Sequence, residues 1–74
     1  MKTTRYYQSF SHHTAVIDEF MMRPYYGAPK KTPAYRVSAY DDEGTLFWAS
    51  TYEHRGDAID ALDSELGGGY RVIV

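Results

Sequence analysis

The amino-acid sequence predicts an α+β fold: a small antiparallel sheet with helices on one face, in the order β-α-β-β-α-β. Three observations lead there. The first is the segment Asp41-Asp42-Glu43-Gly44 between two apolar-rich runs, Ala34–Asp41 and Thr45–Ser50. Acids opening a turn, with glycine where a positive φ is required, specify a β-hairpin closed by a glycine bulge. The second is the recurrence of Ile59, Leu62 and Leu66 at helical spacing, with Ala58 and Ala61 between them. The third is Gly67-Gly68-Gly69, which ends that helix and leaves Tyr70–Val74 as a closing strand.

The elements follow in chain order. Thr3–Phe10 alternates as a strand, with Tyr6 and Phe10 on one face and Arg5 and Tyr7 on the other. His13–Met22 reads best as a helix. Val16, Ile17, Phe20 and Met21 then share a face with His13, while His12, Thr14, Asp18 and Glu19 lie opposite. As a strand, the same segment has an acid on each face. Ser9 or Ser11 is placed to cap the helix, and Arg23-Pro24 stops it. Valine and isoleucine are mediocre helix formers, so the alternative is a β-rich sheet with a single helix, β-β-β-β-α-β. Residues 23–33 form an irregular loop holding all three prolines together with Tyr25, Tyr26, Lys30 and Lys31. Such a loop reads equally well as a functional loop or as a connector. After the hairpin, the second helix has two candidate starts. One is Asp57 as N-cap. The other is the capping box Ser50-Thr51-Tyr52-Glu53. The resulting order is the ferredoxin-like one, in a single domain spanning 1–74.

The chain has 74 residues, and a domain of that size buries only about 60% of its unfolded surface. There is no cysteine, which excludes disulfides, thiolate metal sites and thiol nucleophiles. The 8 Tyr, 3 Phe and 1 Trp are the large side chains left to stabilise it. No apolar run approaches membrane-spanning length, and no charged start leads into an apolar stretch. The expectation is a soluble cytoplasmic protein, in the host cytoplasm if phage-encoded. Charge is uneven. Residues 1–40 hold six basic and two acidic side chains, whereas 41–74 hold two basic and eight acidic ones.

A three-residue hairpin loop pairs Asp41 with Thr45, Ala39 with Phe47 and Val37 with Ala49. Val37, Ala39, Phe47 and Ala49 then suit packing under helices. Trp48, Tyr40, Leu46 and Tyr7 fall on the uncovered face beside Arg5 and Arg36. Large aromatics with arginines are the usual make-up of an interface core. Asp57, Asp60 and Asp63 lie outside the apolar helix stripe. With Asp41, Asp42 and Glu43 at the turn they form an acidic surface resembling a phosphate array. Tyr25 and Tyr26 add a sticky basic loop. His12 and His13 are adjacent and diverge on any regular element, and His54 is distant, so neither a metal nor a cofactor is expected. No serine stands in a nucleophile elbow, and no catalytic site is expected.

In general type the protein resembles small phage-encoded inhibitors of the anti-CRISPR kind: one cysteine-free domain, no catalytic motif, an acidic C-terminal half and exposed aromatics. That resemblance covers the chain's character rather than a motif. It implies a non-enzymatic protein that binds a nucleic-acid-handling complex, for example a CRISPR effector, and blocks it. Direct binding to nucleic acid or membrane is not favoured, and the protein is expected to be a monomer or homodimer. The alternative function is an RNA- or single-strand-binding module that stacks bases on an aromatic sheet face, although the glycine-aromatic consensus of RNA-recognition domains is missing.

Overall fold

The computed structural model describes residues 1–73. Five strands and one helix follow in the order β1 (Lys2–Gln8), β2 (His13–Met22), β3 (Thr32–Tyr40), β4 (Leu46–Tyr52), α1 (Arg55–Ser64) and β5 (Tyr70–Val72). The strands make one antiparallel sheet in the spatial order β4-β3-β2-β1-β5. This is the single-helix alternative, and the two-helix ferredoxin-like expectation is corrected.

The correction lies in β2, and its reason is chemical. The two acids that interrupt its faces both have partners contributed by neighbouring elements. Asp18 sits opposite Arg36 on β3 and accepts the Thr3 hydroxyl of β1 at 2.7 Å. Glu19 has the Lys2 ammonium at 3.9 Å and the Arg55 guanidinium at 4.0 Å. With those partners, the β-branched Thr14, Val16 and Ile17 follow their strand preference. The turn into β2 places His12 at φ 60, and the Ser11 hydroxyl accepts the His13 N–H at 3.1 Å. Phe10, assigned above to the first strand, stands in that turn and is 72% exposed.

The β3–β4 turn forms as the sequence specifies. Asp41 donates its N–H to Thr45 O at 3.0 Å, and Gly44 holds φ 82. The register beyond it differs from expectation. An irregularity opposite Ala39 and Tyr40 lets β4 accommodate Phe47 as an extra residue, so Ala39 pairs with Trp48 and Val37 with Ser50. One inserted residue exchanges the faces of everything that follows. Trp48, assigned above to the uncovered face, therefore lies on the covered one, half-buried against the core.

Helix α1 begins at Arg55 after His54, whose side chain makes no capping bond. Neither candidate start holds: Asp57 lies inside the first turn of the helix, and Thr51 and Tyr52 remain in β4 opposite Arg36 and Tyr35. The helix carries the chain from one sheet edge, β4, to the other, β5, and it packs against β3 and β4. Ala58 and Ala61 let it approach closely. Ala58 and Leu62 meet Tyr6, Ala15, Ile17 and Val37 to form the core, and Ala61 is buried as well. The core is thus built largely from small and aliphatic side chains. Trp48, Tyr35, Tyr52, Ile59, Leu66 and Tyr70 stand around it, half-buried, as a rim. The helix ends through Gly67 at φ 87, with Gly68 donating to Leu62 O at 2.8 Å. The closing strand stops at Val72, and Val74 lies outside the described residues.

Gln8 fixes the helix end to the sheet. Its side chain is buried. Nε2 donates to Leu66 O at 3.0 Å and to Gly68 O at 2.6 Å, and Oε1 accepts the Ser11 hydroxyl. A buried amide satisfied on both sides holds its neighbours in one geometry.

Candidate functional site

One helix covers one face of the sheet, and the opposite face stays open. Directly paired residues share a face, so the pairings give its composition. One row across the sheet reads Arg71, Tyr7, Thr14, Tyr40 and Leu46. The next holds Arg5, Val16, Ser38 and Ala49, and the third holds Thr3, Asp18, Arg36 and Thr51. Phe20 and Ala34 follow. Neighbouring strands lie about 4.8 Å apart, which separates Tyr7 and Tyr40 by roughly 10 Å across Thr14. The Tyr7 hydroxyl is 2.6 Å from His12 Nδ1, which fixes where its ring points. Beside Tyr40 a hollow of about 360 Å³ is lined by Arg5, Thr14, Val16 and Ile73. Short side chains floor it, and an arginine and a tyrosine wall it.

Tyr7, Tyr40 and Leu46 are therefore brought together as the sequence reading has them, with Arg5 and Arg36 in the adjoining rows. Trp48 is not among them. Arg71 is, and its charge was overlooked. The alternation of Tyr70, Arg71 and Val72 was the available signal, since a half-buried Tyr70 directs Arg71 to the other side. Val16 and Phe20 were overlooked because β2 was read as a helix. This face carries three arginines against the single acid Asp18, which is itself engaged by Thr3.

The acids lie elsewhere. Asp57, Asp60 and Asp63 are exposed on α1, on the other side of the sheet. The two ion pairs among the described residues both use Glu19, which leaves the α1 carboxylates with solvent alone. Asp42 and Glu43 are exposed at the hairpin turn. Asp41 is not a free surface charge. Its Oδ1 accepts the N–H groups of Glu43 at 3.0 Å and Thr45 at 2.9 Å, so it builds the turn. Asp57, at the start of α1, lies far from the turn acids. Arg55 reaches Glu19 at the start of α1, whereas the turn lies past Tyr40, opposite Thr14. Those positions on β2 are five residues apart, about 17 Å.

Tyr25 and Tyr26 are also separate. Gly27 at φ 85 and the bond from Ala28 N to Tyr25 O shape their loop, and the Arg23 guanidinium donates to Ala28 O. Pro24 lines one hollow with Tyr35, His54 and Arg55 and another with Met22, Ala34 and Thr51, which sets the loop at the end of the sheet next to the start of α1, against the far end of the open face, where Ala34 is buried. Both tyrosines project into solvent. The Tyr70 hydroxyl is buried without a partner, and desolvation raises its pKa above the usual tyrosine value.

Among the described residues no group of three His, Asp or Glu side chains is arranged to hold a metal ion, and no helix is long and apolar enough to cross a membrane. No protein-family model, curated protein or solved structure matches the chain.

Proposed function

We propose that this chain is a non-enzymatic binding protein of the small-inhibitor type, which occupies a surface of a nucleic-acid-handling protein. The supporting observation is the segregation of charge by face. Acidic side chains without ion-pair partners stand on α1 and the hairpin turn, and arginines with tyrosines stand on the open sheet. A groove built to hold phosphates attracts the first surface by long-range complementarity. The second has the side-chain types that anchor protein interfaces. A CRISPR effector is the kind of partner the general resemblance implies. Asp57, Asp60 and Asp63 take the steering role, and Tyr7, Tyr40, Leu46 and Arg36 the anchoring one.

A second reading, single-stranded nucleic acid on the open face, is favoured by the row of Tyr7 and Tyr40 between arginines. Stacking on exposed rings with cations nearby is how sheet faces hold unpaired bases. The chain's net charge of −2 argues against this less than it does in sequence, because Asp57, Asp60 and Asp63 sit behind the sheet on α1.

Capture of partners by the immobilised protein, with and without nuclease, separates the two. The inhibitor reading expects a nucleic-acid-binding protein retained after nuclease treatment and lost with Asp57→Asn/Asp60→Asn/Asp63→Asn. Direct, salt-sensitive micromolar binding of single-stranded RNA, lost with Arg5→Ala and Arg36→Ala, replaces it with the second reading.

A further inference from the structure

The sheet has two edges, and they are unequal. β5 is a three-residue strand, Tyr70–Val72. β4 has seven residues, Leu46-Phe47-Trp48-Ala49-Ser50-Thr51-Tyr52, without a charge or a proline. An edge strand carries a row of unpaired backbone donors and acceptors, and proteins normally protect it with lysines, prolines or shortness. β5 is protected by its length. β4 has one device only, the irregularity at Phe47.

We propose that β4 pairs with β4 of a second copy, antiparallel, about a two-fold axis at Ser50. The regular stretch beyond the irregularity is Trp48–Tyr52, and Ser50 is its midpoint. In that register Trp48 lies opposite Tyr52 of the partner subunit, twice. Both rings are half-buried rim residues on the helix side, so each is the cover the other lacks. On the open side Ala49 meets Thr51 of the partner subunit, small against small. With no charge in the strand, two copies bring no like charges together across the seam. Pairing of β4 with β5 of another copy would be heterologous and open-ended, and three residues on β5 offer little to pair with. The symmetric arrangement closes and joins two five-stranded sheets into one, placing two open faces side by side. It does not depend on the partner proposed above.

Sedimentation equilibrium of the whole chain tests this first. The expected result is a species of twice the 8.5 kDa chain mass at tens to hundreds of micromolar protein, and a blue-shift of the Trp48 emission on association. A monomer throughout that range, a ladder of higher species, or a dimer with unchanged Trp48 emission overturns it. Two variants then test the register. Ala49→Lys/Thr51→Lys and Ala49→Glu/Thr51→Glu place like charges opposite each other across the axis. Each is expected to keep the wild-type circular dichroism and to lose the dimer, and an equimolar mixture is expected to regain it. Folded variants that stay dimeric alone, or a mixture that stays monomeric, overturn the pairing.

Discussion

Beneath α1 the sheet presents Ala15, Ile17, Val37 and Ala39, none more than 3% exposed. One residue along the same strands, the opposite face presents Val16, Arg36, Ser38 and Tyr40. The covered side is mostly small and uncharged where the helix sits, and of its aromatics only Tyr6 enters the core while the others stand at the margin. The open side has arginines in its middle rows and two tyrosines in the row beside the hairpin turn. On α1 the small Ala58 stands with Leu62 against Ala15, Ile17 and Val37, so the core under the helix holds a single aromatic ring, Tyr6. The bulk is left for the rim and for the open side. The contrast teaches that in a chain this short, aromatic content measures surface as much as core.

The comparison breaks most visibly at adjacent residues of β3. Val37→Asp buries an unpaired charge under α1 and is expected to abolish cooperative thermal unfolding, because such a change costs several kcal/mol out of a total of about 5–15. Arg36→Ala, one residue away on the open side, is expected to stay within about 0.5 kcal/mol of wild type in the same circular-dichroism melt. Equal effects would mean the open side is covered in solution.

Gln8→Ala comes next. It strands the carbonyls of Leu66 and Gly68. The expected loss is about 2–4 kcal/mol, a fall in melting temperature on the order of 15 °C for a chain of this size. Trp48→Ala sharpens the assignment of faces. A half-buried rim residue is expected to cost about 2 kcal/mol, roughly half the loss for a fully buried aromatic. A melt unchanged from wild type would put Trp48 on the open face after all.

The smallest effect concerns Tyr70, and its sign is opposite. Its hydroxyl has no partner, so Tyr70→Phe is expected to be neutral or stabilising by up to about 1 kcal/mol. The raised pKa of the folded state means that the unfolded chain ionises first as pH rises. Stability therefore holds below the usual tyrosine value and declines above it. The variant is expected to lose that part of the alkaline decline, as read from denaturant midpoints between pH 8 and 11.

What the sequence made legible was local. The turn at Asp41–Gly44, the Ala58/Ala61/Leu62 helix and the strand after the glycines each depend on residues close by in the chain. The identity of β2 did not. Its acids are acceptable in a strand because Thr3 donates to Asp18 while Lys2 and Arg55 stand beside Glu19, all arriving from elsewhere, and no periodicity records that. The open face was partly legible. Tyr7, Tyr40, Leu46, Arg5 and Arg36 follow from strand alternation, while Trp48 was displaced by the single extra residue Phe47. That ring packs against His13, centroids 5.0 Å apart, in a contact between strands that are not neighbours in the sheet.

The Gln8 clamp also bears on the order of folding. Strands β1 to β4 are each next to their sequence neighbour in the sheet, so three successive hairpins can form as the ribosome delivers them. Gln8 must wait. Its Nε2 acceptors lie 58 and 60 positions downstream, and until they emerge that nitrogen has only water to bond. Closing so long a loop is the slow kind of step in a small protein. The nascent meander therefore exposes Ala15, Ile17 and Val37 until α1 is synthesised.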